Sequence, residues 1–227
     1  MIVKIKRQAD AGSAPYWQSF AYEGKPDATV AAVLDALNYT DDLFDIDGRS
    51  APRIRWECSC MQKICGACGM LINGRPALAC ATFLRDCKGK ELVLEPLSKF
   101  PVVADLIVDK SVIDESLRRA GVYQGEYAGA REAEYPQQYS VAKCLKCGLC
   151  LEVCPNYIRG ENFFGAVFAN DVYLAHSQSA DRTRELSREY AEHFAKGCSK
   201  ALSCQSVCPA GISTLTSILR LNSPRRK

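Results

Sequence analysis

Residues Cys144 to Pro155 read CLKCGLCLEVCP, four cysteines within eleven residues at the spacing Cys-x2-Cys-x2-Cys-x3-Cys-Pro. In such a run three thiolates hold one iron–sulfur cluster and the fourth serves another. A second segment is therefore required. It stands at Cys198, Cys204 and Cys208, where Cys208-Pro209 repeats the ending that returns one thiolate to the first cluster. The expected [4Fe-4S] ligands are then Cys144, Cys147, Cys150 and Cys208. Laid over one another, the runs put Cys198, Ala201, Cys204 and Cys208 at the positions of Cys144, Cys147, Cys150 and Cys154. A methyl group cannot ligate iron. The centre built on Cys154, Cys198 and Cys204 is accordingly expected to be [3Fe-4S], the alternative being a fourth iron held by an aspartate or bound water.

Moving toward the N-terminus, Cys60-x4-Cys65-x2-Cys68 is followed after eleven residues by Cys80. This is the plant-type spacing for a [2Fe-2S] centre. Gly66 and Gly69 permit close approach of the backbone to the cluster, and a hairpin through Asn73-Gly74 carries the chain back to Cys80. The three centres use eleven of the thirteen cysteines, which leaves Cys58 and Cys87 as ordinary thiols. Both histidines, His176 and His193, lie outside the cysteine blocks, against a Cys/His zinc finger. A zinc-stapled interaction module is the competing reading from another class.

Composition agrees with a folded redox carrier. The chain has 227 residues, 48% of them hydrophobic, too apolar for disorder. No window supplies the roughly 18 to 20 apolar residues of a membrane span, and the opening MIVKIKRQAD alternates charged with apolar groups unlike a signal peptide. A cytoplasmic chain is expected, in which an odd cysteine count argues against a disulfide framework. With 29 basic and 26 acidic residues the net charge is +3, too even to suggest nucleic-acid binding. Each oxidised cluster with its thiolates carries roughly −2. Lys143, Lys146, Lys196 and Lys200 stand near enough in sequence to offset part of that charge.

The two cysteine blocks imply two domains, in an α+β chain. Strands are expected at Ile2 to Ile5, Tyr16 to Tyr22, Ile54 to Glu57, Met70 to Ile72 and Leu92 to Leu94. Val30, Val33, Leu34 and Leu37 recur at helical spacing behind Asp27 as N-cap. From about Asp105 the pattern turns helical. Phe163, Phe164, Val167, Phe168 and Val172 make one apolar face, and Leu186, Tyr190 and Phe194 another. Gly121 to Gln138 reads as an irregular connection, and Pro224 to Lys227 as a basic tail.

The ordered set of motifs, Cys60 to Cys80, Pro101 to Asp109, Cys144 to Cys154 and Cys198 to Cys208 with Ala201 in the gap, resembles the iron–sulfur subunits of the succinate dehydrogenase and fumarate reductase family. That resemblance implies a plant-type ferredoxin domain of β-grasp topology over residues 1–104, then an all-α domain like bacterial ferredoxins over 105–227. It implies three cofactors, [2Fe-2S], [4Fe-4S] and [3Fe-4S]. It also implies two docking partners: a flavoprotein bearing FAD and the dicarboxylate site, and a membrane anchor with quinone and, in some members, haem b. The chain would then be peripheral, on the cytoplasmic side of the inner membrane. Many ubiquinone-type members have tryptophan after the Cys-Pro beside the three-iron centre and histidine after that centre's second cysteine. Here Asn156 follows Pro155 and Ser199 follows Cys198, which favours menaquinone, with Arg159 a candidate neighbour. A methylmenaquinol- or thiol-linked fumarate reductase is the alternative within the wider family.

Overall fold

The computed structural model describes residues 1–87, 89–129 and 131–223. The tail from Pro224 lies outside them. Two compact units divide the chain, Met1–Asp109 and Lys110–Lys227.

In the first unit the elements are β1 (Ile2–Arg7), β2 (Tyr16–Ala21), α1 (Val30–Asn38), β3 (Leu43–Phe44), β4 (Ser50–Ala51), β5 (Gly69–Ile72), β6 (Arg75–Leu78), β7 (Glu91–Glu95), β8 (Val102–Ala104) and β9 (Ile107–Val108). Five strands form one mixed sheet in the order β2-β1-β7-β5-β6, with β1 and β7 parallel and the other pairs antiparallel. Alternation along β1 buries Val3, Ile5 and Arg7 while the intervening residues face outward. The helix buries Val30, Ala31, Val33, Leu34 and Leu37. This sheet with its single helix is the β-grasp arrangement.

Three local features depart from expectation. The N-cap of α1 is Thr29, whose extended backbone precedes Val30 directly and whose Oγ1 accepts from Ala32 N at 3.1 Å; Asp27 stands too early. Residues 54–57 form no strand because side chains take their backbone groups. Asn38 exchanges two hydrogen bonds with Ile54, and Asp105 Oδ2 accepts from Arg55 N at 2.9 Å. The third concerns residues 105–109, which stay with the first unit. Asp105 is buried, with φ +45°, and its Oδ1 accepts from Arg7 Nε at 3.0 Å and Gln8 N at 2.9 Å. The Arg7 guanidinium also donates to Gln18 and to the carbonyls of Pro52 and Arg53. A buried charge pair satisfied in this way pins the β8–β9 hairpin to β1.

The second unit is helical: α2 (Ser111–Arg119), α3 (Tyr135–Ala142), α4 (Leu149–Glu152), α5 (Gly165–Gln178), α6 (Thr183–Tyr190) with a π-helical turn at Ala191–Ala195, α7 (Ser203–Ser206) and α8 (Thr214–Asn222). Phe164, Phe168, Val172, Leu186, Tyr190, Phe194 and Ile218 close into one core, joining both apolar faces. The irregular stretch from Gly121 ends earlier than its composition suggests. Pro136, pre-set for a first helical turn, lets α3 begin at Tyr135. Among the described residues no helix is long and apolar enough to cross a membrane.

Candidate iron–sulfur sites

The loop after β4 bends through three left-handed residues, Met61, Lys63 and Gly66, with φ of 54°, 64° and 78°. Two of them carry side chains, a conformation that costs about 1–2 kcal/mol each. It turns backbone N–H groups toward sulfur. Cys60 Sγ accepts from Gln62 N at 3.3 Å and Ile64 N at 3.4 Å, and these donors draw its thiol down to about 7. Cys80 sits on a short 3-10 turn after β6, brought back by the hairpin whose Asn73 and Gly74 have φ of 49° and 74°. Ala79 N donates to Cys68 O at 3.0 Å, which docks the two cysteine segments.

The four thiols fall into pairs. Cys68 and Cys80 sulfurs are 3.4 Å apart, and Cys60 is hydrogen-bonded to Cys65. Burial pushes the Cys68 thiol up to about 12. Two pairs match a centre with two irons, each taking two thiolates. Among the described residues no three His, Cys, Asp or Glu side chains are grouped as a single metal ion requires.

In the second unit the two cysteine loops repeat each other in backbone as well as spacing. Lys146 and Gly148 are left-handed at φ of 51° and 83°; Lys200 and Leu202, fifty-four positions later, are left-handed at 60° and 57°. Each loop leads into a four-residue helix, α4 or α7, that carries the third position of its run, Cys150 or Cys204. Ala201 therefore occupies the station of Cys147 in a loop of the same shape. Cys198 Sγ accepts from Lys200 N and Cys208 Sγ from Ile212 N, both at 3.4 Å.

Cys144, Cys147, Cys150 and Cys208, the expected [4Fe-4S] ligands, line one cavity. Cys204 reaches the same wall, so the lining alone does not divide the five. Burial raises the Cys147 thiol to about 11 and Cys150 well above its usual range. Ligation by iron would reverse that cost, because the cation stabilises the thiolate that burial disfavours. Burial, then the neighbouring Cys154 and Cys198, raises Cys204. Of the two remaining thiols, Cys58 is exposed and Cys87 half-buried.

Among the four lysines proposed from sequence, Lys146 is tied into the site by its side chain and Lys200 by its backbone N–H. Lys146 lines the cavity, forms an ion pair with Asp171 of α5, and has its ammonium pKa lowered by burial. Lys196 pairs with Glu192 at the surface, and Lys143 lies over the Tyr139 ring. Sequence spacing gave no hint of Asn170, Asp171 and Thr214, which support the cavity. One signal was available: Asn170-Asp171 interrupts an otherwise apolar stretch of α5. His193 is no ligand; it stacks on Phe164 at 4.2 Å within the core.

A family model for a 2Fe-2S iron-sulfur cluster binding domain matches residues 2–115, and one for a 4Fe-4S dicluster domain matches residues 119–212. The succinate dehydrogenase iron-sulfur subunit of Bacillus subtilis is 34% identical, the alignment covering 96% of this chain and 89% of the relative. The fumarate reductase iron-sulfur subunit of Mycobacterium tuberculosis is 35% identical over 97% and 90%. In fold, the chain is similar to one from the apo Mycobacterium smegmatis Sdh1 complex, with a TM-score of 0.72, 23% identity and coverage of 97% and 94%.

Proposed function

Because the chain belongs to the family of succinate dehydrogenase and fumarate reductase iron–sulfur subunits, we propose that it carries electrons between a dicarboxylate site on an FAD-bearing flavoprotein and a quinone on a membrane anchor. Iron–sulfur clusters supply reversible one-electron transfer when bound. Cys60, Cys65, Cys68 and Cys80 would hold [2Fe-2S]; Cys144, Cys147, Cys150 and Cys208 would hold [4Fe-4S]. Cys154, Cys198 and Cys204 would hold [3Fe-4S]. The chain's remaining part is to aim N–H donors at sulfur, keep water from the cavity and set Lys146 against the negative charge.

The observation that carries the assignment is the repeated pair of left-handed loops, one complete in cysteine and the other lacking it at Ala201. Support for menaquinone comes from Ser199, whose hydroxyl donates to Asn156 Oδ1 at 2.7 Å. A small polar pair thus fills the positions that tryptophan and histidine hold in many ubiquinone-type relatives. Ile158 nearby is 56% exposed, fit for burial against an anchor on the cytoplasmic face of the membrane, with or without haem b. Co-purification from membranes, with succinate oxidation and fumarate reduction assayed against menaquinone and ubiquinone analogues, tests the proposal. Recovery without a flavoprotein, or turnover with neither quinone class, would refute it.

A further inference from the structure

Asn170 lies in the middle of α5 and is 4% exposed. It lines the cavity of Cys144, Cys147, Cys150 and Cys208, together with Thr214 at the start of α8. Its Nδ2 donates to Thr214 Oγ1 at 3.1 Å, while its Oδ1 is buried with no hydrogen-bond partner among the described residues. The Thr214 hydroxyl in turn is hydrogen-bonded to Cys204. Buried amide oxygens are normally satisfied, so an orphan at this place calls for an explanation.

Free thiols are weak donors, but iron-bound thiolates and bridging sulfides only accept. An amide at the cavity wall therefore meets them favourably through N–H and unfavourably through oxygen. The oxygen and NH2 ends of an amide have nearly the same size, so a half-turn of the group fits the same space. It offers two N–H donors in place of the orphan oxygen, and the single proton of the Thr214 hydroxyl turns from Cys204 to Oδ1.

We propose that Asn170 is a hydrogen-bond donor to the sulfurs of the [4Fe-4S] centre, held in that orientation by Thr214, and that it raises the centre's reduction potential. The inference rests on the assignment of Cys144, Cys147, Cys150 and Cys208 as the ligands. Reduction adds negative charge to the sulfurs, so a donor aimed at them favours the reduced state. Asn170 is thus a positioning and tuning residue that touches the centre's periphery.

The test is a redox titration followed by electron paramagnetic resonance on the complex purified from membranes, with iron content measured in parallel. Asn170→Leu should shift the [4Fe-4S] midpoint to more negative potential, leaving the [2Fe-2S] midpoint and the iron content unchanged. An unshifted midpoint with the cluster present overturns the inference. Thr214→Val, which keeps shape and loses the hydroxyl, should shift the same centre in the same direction by less. A shift confined to the centre that Cys204 ligates overturns it, since Thr214 would then serve Cys204 rather than Asn170. Should Asn170→Leu fail to fold, Thr214→Val decides alone. A wild-type complex with no [4Fe-4S] resonance would instead refute the ligand assignment on which the inference rests.

Discussion

Ala201 stands at the station that Cys147 holds in the companion loop, flanked by Lys200 and Leu202 in the same left-handed conformation as Lys146 and Gly148. The frame for a fourth ligand is thus present and the sulfur absent. Ala201→Cys should convert the last centre to [4Fe-4S], remove the resonance of the oxidised three-iron centre and lower its potential. An oxidised spectrum identical to the wild type would contradict this account of the gap. The two spare thiols give the converse test. Cys58→Ser and Cys87→Ser should leave iron content and all three resonances unchanged; loss of any one signal would make that cysteine a ligand. Such positions were open to sequence reading because ligand spacing is set by cluster size, a local constraint. Asn170 and Thr214 were not, since they lie forty-four positions apart and only packing of α5 on α8 joins them.

The elements around the clusters owe their shape to backbone geometry more than to helix or strand propensity. Gly148 precedes α4 at φ 83°, where a side chain costs about 1–2 kcal/mol. Gly148→Ala should lower stability by that amount in anaerobic thermal unfolding, and an unchanged midpoint would show that the loop relaxes freely. The β8–β9 hairpin depends on a different device. Asp105→Ala leaves the Arg7 guanidinium buried without its counter-charge and should destabilise the first unit by about 3–5 kcal/mol in urea. A loss below 1 kcal/mol would mean that the carbonyls of Pro52 and Arg53 suffice. The strands β1, β5 and β7 and helices α1, α5 and α6 were foreshadowed by periodicity. The strand expected at Ile54 to Glu57 was not formed, because apolar pattern says nothing of Asn38 and Asp105 competing for its backbone.

On the proposed assignment, eleven of the thirteen cysteines serve as ligands and their surroundings tune them. The β-grasp sheet presents one loop of three cysteines and a returning hairpin; the helical unit presents two copies of a cysteine loop, each run ending in Cys-Pro. Order along the chain made the family recognisable, since each motif alone is shared with many electron carriers. The exposed surface was less accessible to sequence, because residues such as Ile158 carry no spacing signature.

The most direct test of three centres on eleven thiolates is elemental analysis of oxygen-protected protein alongside its visible and paramagnetic resonance spectra. About nine irons and about ten acid-labile sulfides per chain are expected, with strong visible absorption and three distinct resonances. A colourless protein holding zinc, or iron without labile sulfide, would contradict the account.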